Sequence, residues 1–231
     1  MRLRRNTVLY RFIIRPLLWF VAASCLGVFI FRWAPVPLTP LMLIRWAGQL
    51  ADGKPVRLEH HWVPIEKISK NLQLAVVCGE DQKFAGHFGF DLDSIRQAVA
   101  ASQRKNGRLR GASTISQQTA KNVFLWPGRS WLRKALESWF TVLIELFWGK
   151  ERILEVYLNS IEMGNGIYGA EAASRFWFHT SAANLSRFQA AALAAILPDP
   201  RDFNPNRPTS HLQSRILWIR IQMQHLGRWD Q

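Results

Sequence analysis

The feature that most constrains this chain is a run of sixteen residues without a charge, Pro16 to Phe31, PLLWFVAASCLGVFIF. Arg2, Arg4, Arg5, Arg11 and Arg15 precede it with no acid among them, and Arg32 follows. With Phe12–Ile14 and Trp33 added, the run reaches the ~20 residues that a membrane-spanning helix needs. Arg15 and Arg32 are placed to snorkel to the two interfaces. By the positive-inside rule the N-terminus lies in the cytoplasm and the remainder outside. The alternative is a cleaved signal peptide at Ala22-Ala23-Ser24, but the apolar run continues past that point. A second apolar stretch, Leu38 to Leu50, is broken by Pro40 and Arg45 and is too short to span; it reads as an interfacial element or as core.

The net charge is +14 and eleven residues are Trp. A cationic surplus of this size suits a polyanionic partner, whether nucleic acid, anionic lipid or a phosphorylated substrate. A nucleic-acid role is disfavoured, because the membrane segment places the basic region outside the cytoplasm and no recognised binding motif is present. Cys25 and Cys78 both sit in apolar runs without metal-ligand spacing, and are expected to be free thiols.

The rest of the chain reads as mainly α. Pro35, Pro37 and Pro40 mark a stiff linker, Asp52-Gly53 a turn, and Arg57 to Pro64 a short extended piece. Asp93 is expected to cap a helix through Ile95, Ala98 and Val99. The stretch Ser102 to Gly111 reads as a mobile basic loop. Thr114 and Gln117 have capping-box spacing, as do Ser210 and Gln213. Ser130 is expected to cap a helix from Trp131 to Trp148, and Gly227 to end the last one. The glycines 164, 166 and 169 predict a turn before an Ala-rich segment.

Four constellations carry chemistry. Glu80, Asp81, Lys83, Phe84, His87 and Asp91 follow directly on the apolar run Leu74–Cys78, where desolvation raises a carboxylate's pKa as a general base requires. Ser113, Thr114, Gln117, Gln118, Lys121 and Asn122 gather at a helix start, a setting suited to phosphate or sugar. Arg133, Lys134 and Glu137 follow; two cations beside Glu137 keep it ionised, fit for electrostatic rather than proton-transfer work. As a bare i,i+4 pair, Arg133–Glu137 is worth only a few tenths of a kcal/mol. Glu151, Glu155 and Asn159 form a helical stripe whose spacing suits buried scaffolding bonds. Ser102 to Lys105 matches an S-x-x-K pattern by chance, since no partner motif accompanies it.

Read together, EDQKFAGHFGFD, GASTISQQTAKN, RKALE, KERILEVYLN and GNGIYGAEAASRFWF stand in this order. They resemble the ordered motifs of the peptidoglycan glycosyltransferases, the GT51 family, over about Leu72 to Phe178. The short chain with one anchor is similar to the monofunctional biosynthetic branch of Gram-negative inner membranes. The resemblance implies a mainly α, lysozyme-like glycosyltransferase domain over 65–231, with a small membrane-associated subdomain. Before it would come a basic cytoplasmic tail over 1–15, a transmembrane helix over 16–33, and a linker and membrane-associated segment over 34–64.

The implied substrates are lipid II and the growing glycan strand. Glu80 matches the catalytic base and Glu137 the second catalytic Glu, near the leaving group or acceptor. Substrate-binding roles pass to Asp81, Lys83, Phe84, His87, Ser113, Thr114, Gln117, Gln118, Lys121, Asn122, Arg133, Lys134, Glu155 and Asn159, and Arg96 is taken as the acceptor-side arginine. No cofactor is required with certainty; a divalent cation, Mg or Mn, is compatible. Membrane lipids and divisome or other cell-wall synthases are implied partners. Departures from the family pattern are Cys78-Gly79 before Glu80, and Phe176-Trp177-Phe178 in place of a Tyr-rich triplet. The competing readings are a lysozyme-type hydrolase, which also uses an acidic residue, and a non-catalytic wall-binding scaffold.

Overall fold

The computed structural model describes residues 10–53, 55–96, 113–128 and 130–230. The mobile loop expected at Ser102 to Gly111, and Ala98 and Val99 of the expected helix, lie outside them. The first helix, α1 (Arg15–Ile30), is extended at its start by a π-helical turn, Tyr10–Ile14. Together they make 21 residues of mean hydropathy 2.0, long and apolar enough to cross a membrane. The helix thus starts and ends earlier than the 16–33 expected. A core helix would be covered on all sides; this one exposes Leu17, Leu18, Trp19 and Leu26. That fits a single-pass membrane anchor.

One face of α1 is nevertheless docked on α5 (Trp131–Phe147). Trp139 Nε1 donates to Ser24 Oγ at 3.1 Å, and Trp148 Nε1 to the Val28 carbonyl at 2.8 Å. The Phe29 and Phe147 rings meet edge to face at 6.3 Å. The last carbonyls of a helix have no partner within it. Here Arg152 supplies one, donating to Phe31 O at 2.9 Å and Ala34 O at 2.6 Å.

The second apolar stretch forms α2 (Pro40–Ala51), capped by Thr39, whose Oγ1 accepts from the Met42 amide at 3.3 Å. It buries Met42 and exposes Leu43, Ile44, Trp46 and Leu50.

The core is helical. α3 (Lys70–Glu80) buries every residue from Leu72 to Cys78 and packs on α8 (Arg187–Ile196) and α9 (Ser210–Leu226). The alanines of α8 keep that approach close. Gly79 keeps it closer still, since a Cβ there would lie 3.3 Å from Ile219 Cδ1. The Cys78-Gly79 departure therefore has a packing reason. Both cysteines are free, and burial pushes the Cys78 thiol up to about 11. A second group comprises α4 (Ile115–Phe124), α5 and α6 (Lys150–Ser160).

Beside α7 (Ala170–Phe178) lies a three-stranded sheet in the order β1-β3-β2. β1 (Glu59–His60) runs parallel to β3 (Ile167–Tyr168), and β2 (Glu162–Gly164) antiparallel to it. The glycine cluster gave the expected turn, but strands of two and three residues are too short to show alternation in sequence. Gly169, at φ +83°, has no room for a side chain: a Cβ would meet Asn159 O at 2.5 Å. α7 follows it, and Trp177 Nε1 donates to Met163 O at 2.8 Å, tying the aromatic triplet to β2.

Two capping expectations are corrected. Asp91, not Asp93, caps the helical segment at 92–96, accepting from the Ser94 amide at 2.9 Å. Asp93 pairs instead with Lys83 at 3.1 Å. At α9 the cap is Thr209, accepting from the Leu212 amide at 3.3 Å, while Gln213 Nε2 turns back to Pro208 O. The second capping box is Ser186 with Gln189, at the start of α8. The boxes and caps at Thr114–Gln117, Ser130 and Gly227 form as expected.

Candidate active site

Glu80 is the last residue of α3, delivered to the surface by seven buried ones. Its side chain is 15% exposed. Oε2 accepts from Gln118 Nε2 at 3.0 Å, and Oε1 from the Arg215 guanidinium at 3.1 Å. Burial raises the Glu80 pKa and outweighs the opposing pull of Gln118, Arg215 and Lys121. A carboxylate held in place, mostly desolvated and with raised proton affinity has the properties of a general base. The Gln118 amide is itself oriented: Tyr157, fully buried, donates its hydroxyl to Gln118 Oε1 at 3.2 Å.

Asp81 fixes the start of α4 against this carboxylate. Its Oδ2 accepts from the Ile115 amide at 3.0 Å, and His87 Nε2 lies 2.9 Å from Oδ1. Thr114 Oγ1 donates to Gly89 O at 2.7 Å, and Gln117 Oε1 accepts from the Thr114 amide at 3.0 Å. Phe84 is in the core, with the Lys150 ammonium 4.7 Å above its ring. The side-chain bonds of Asp81, His87, Thr114 and Gln117 thus go to the frame that positions α4. Beneath that frame lies buried Glu145, whose Oε1 accepts from Ser116 Oγ at 2.5 Å and from Lys150 Nζ at 2.7 Å.

Along α4 from Gln118, Lys121 and Asn122 line a cleft of about 530 Å³ together with Ser113, Arg133 and Glu162. Ser113 also borders a smaller cleft, about 260 Å³, around Glu80. The two clefts therefore adjoin at Ser113. Burial lowers the Lys121 pKa, and Arg133 and Lys134 add to that, while Glu137 and Glu80 oppose it. Among the described residues Lys121 makes no ion pair closer than these fields, so its ammonium is available to an anionic ligand.

Glu137 is 3% exposed and both its oxygens are engaged, Oε2 by Arg133 Nη1 at 2.9 Å and Oε1 by the Lys134 ammonium. Glu137 thus stands between the two cations that the spacing placed beside it, buried like Arg133, with Lys134 partly exposed. Glu137 holds Arg133 at the cleft wall, with Lys134 beside it.

Glu155 and Asn159 face the scaffold. Glu155 takes Arg152 Nη1 at 2.8 Å. Asn159 is fully buried and brackets Val63, accepting from its amide and donating to its carbonyl, both at 2.9 Å. Lys83 is bonded to Asp93 at the surface. Arg96 is largely exposed and 4.0 Å from Asp93, whereas the arginine that meets Glu80 is Arg215. That residue, Tyr157 and Glu145 had no role from sequence. Arg215 lies 135 positions from Glu80 on a helix without a motif; only the isolated polar group on an apolar helix signals the other two.

The transglycosylase family model matches residues 48–224. The chain is 55% identical over 221 residues to a biosynthetic peptidoglycan transglycosylase of Pseudomonas putida, covering 96% of this chain and 93% of that protein. It is 55% identical over 219 residues to the protein of the same description from Pseudomonas entomophila, covering 95% and 92%. For that of Pseudomonas syringae pv. tomato the values are 52% over 220 residues, 95% and 93%.

Proposed function

The chain belongs to the transglycosylase family, enzymes of peptidoglycan synthesis, and on that premise we propose that it polymerises lipid II into linear β-1,4-linked glycan strands. The growing strand is the donor, carried on undecaprenyl pyrophosphate, and lipid II is the acceptor. Glu80 takes the proton of the acceptor GlcNAc 4-hydroxyl as that oxygen attacks the donor anomeric carbon. The new C–O bond forms on the face opposite the pyrophosphate, the bond to pyrophosphate breaks, and the α linkage becomes β. Undecaprenyl pyrophosphate leaves with the electron pair.

The observation that carries this reading is the position of Glu80 in a cleft that adjoins, through Ser113, a second one lined by Gln118, Lys121 and Arg133. Fixed cations beside a departing pyrophosphate stabilise charge that develops only as the bond breaks. Glu137 keeps Arg133 and Lys134 in place for that task. Ser113, Gln118 and Asn122 offer neutral hydrogen bonds to the donor sugar and phosphate oxygens.

The donor set does not fit a protein-held divalent cation: among the described residues no three His, Cys, Asp or Glu side chains converge. A cation carried on the substrate pyrophosphate fits the cleft, and the protein's own cations supply charge without it. The arginines before the anchor α1 support an N-terminus in the cytoplasm and a catalytic domain on the periplasmic side of the inner membrane. The apolar face of α2 lies at the bilayer, where a lipid-linked substrate enters. Other cell-wall synthases, including those of the divisome, are the protein partners consistent with that location.

The test is product analysis of labelled lipid II incubated with the full-length chain in detergent. The expected product is a polymer that muramidase digests to disaccharide-peptide units. No polymer, with release of soluble muropeptides from finished wall, would overturn the reading in favour of hydrolysis.

A further inference from the structure

The smaller cleft around Glu80 has one aromatic wall, Trp218. Trp218 lies on α9 one turn beyond Arg215, whose guanidinium reaches Glu80 at 3.1 Å. The helix is firmly seated there: Ile216 and Ile219 on either side are 3% and 0% exposed, and Ile219 packs on Gly79 at the end of α3. The indole itself is 44% exposed. Among the described residues it has no ring partner and no hydrogen bond. Of the other exposed tryptophans, Trp19, Trp33 and Trp46 lie on or beside α1 and α2, where a membrane interface accounts for them, while Trp126 follows α4 and Trp131 begins α5, away from Glu80's cleft. Trp218 stands instead on a helix packed chiefly on α3 and α8, facing polar groups.

We propose that Trp218 is the sugar-binding platform of the acceptor cleft, stacking on the pyranose whose 4-hydroxyl faces Glu80. A pyranose with equatorial substituents carries its ring hydrogens on its faces, so it has an apolar face and a polar rim. An indole face is apolar and carries negative quadrupole charge, which attracts those hydrogens. The rim then meets the groups opposite, Glu80, Ser94, Ser113 and Thr114. One apolar wall with a few convergent polar groups is the usual form of an orienting site. Because Arg215 and Trp218 share one turn, α9 sets both the base and the platform, and so the distance between proton and acceptor. This assignment rests on the transferase reading above and names the residue that orients its acceptor.

The test has two readouts on the full-length chain in detergent. In lipid II polymerisation, Trp218→Ala is expected to raise KM roughly tenfold, the equivalent of 1.4 kcal/mol, with kcat little changed, and Trp218→Phe to restore most of the loss. In the 5-fluorotryptophan-labelled chain, the fluorine resonance missing from Trp218→Phe is expected to move on titration with the disaccharide GlcNAc-β-1,4-MurNAc, and to stay with inorganic pyrophosphate. A wild-type KM in Trp218→Ala, equal impairment in the Ala and Phe variants, or a resonance that ignores the disaccharide would each overturn the proposal. Absence of polymer from the wild type would overturn the transferase reading instead, and the fluorine titration decides the sugar contact independently of turnover.

Discussion

The Tyr157 hydroxyl donates to Gln118 Oε1 at 3.2 Å, and this bond turns the Gln118 amide so that its Nε2 faces Glu80 at 3.0 Å. A residue in the fully buried face of α6 thereby decides whether Glu80 meets a donor or a carbonyl. In Tyr157→Phe the amide is free to reverse and present its oxygen to the carboxylate. Gln118 donation lowers the Glu80 pKa, so its loss moves the acid limb of the rate profile to higher pH. The expected cost is roughly tenfold in kcat near neutrality and about 1–3 kcal/mol in stability for the unsatisfied oxygen. A pH-rate profile of the variant identical to the wild type would refute the orienting role.

Ionisation of Glu80 itself governs a second pH effect. Burial raises its pKa in the fold, so the folded chain binds this proton more tightly than the unfolded chain. The resulting contribution to stability is full below the ordinary carboxylate pKa and is lost as pH rises through the raised value. Glu80→Gln removes the ionisation. Its melting temperature is expected to exceed that of the wild type at neutral pH, with the difference shrinking as pH falls into the ordinary carboxylate range. Thermal melts across pH 4 to 8, on the order of the range of carboxylate titration, check the sign; a less stable variant at neutral pH would contradict it.

Glu145 is the buried charge on which α4, α5 and α6 converge, with Ser116 and Lys150 on one oxygen. Glu145→Ala leaves the Lys150 ammonium without that partner, and breaking a buried pair from one side costs about 3–5 kcal/mol. Denaturant unfolding in detergent is expected to show a loss of that size, with Glu145→Gln intermediate. A change below about 1 kcal/mol, as for a surface pair, would mean that the network does not carry load.

Arg152 bonds the end of α1 to α6 through the Phe31 and Ala34 carbonyls. Arg152→Ala is expected to accelerate amide exchange around residues 31–34 by at least about tenfold, since charge-assisted bonds contribute about 1.5–3 kcal/mol each. Exchange in α3 should stay unchanged. Equal exchange at 31–34 in both proteins would show the anchor to be held without Arg152, by the Trp139 and Trp148 hydrogen bonds and the ring packing.

Legibility in the sequence followed the range of the interaction. The anchor, the capping box at Thr114–Gln117 and the placement of Glu80 after an apolar run are local patterns. Glu137 between two cations was legible for the same reason, since Arg133 and Lys134 are its helical neighbours. Arg215 was not, because it reaches Glu80 from another helix packed across Gly79. The sheet was missed because its strands are too short for a period of two to appear. Asp81, Phe84, His87 and Gln117 stand within motif strings that point to substrate, yet a motif also records what holds a site together. Asp81 spends its carboxylate on the first amide of α4 and on His87, a distinction that spacing does not make.

The central claim is that Glu80 is the base of glycan polymerisation, and polymerisation of labelled lipid II by wild type and Glu80→Gln tests it most directly. A general base contributes on the order of 10²–10⁴ in rate. The variant should therefore fold, retain binding of an anionic lipid-linked ligand in the Lys121 cleft, and lose polymer formation by at least about 100-fold. Equal polymer from the two proteins would contradict the assignment and place the proton-accepting group elsewhere in the cleft.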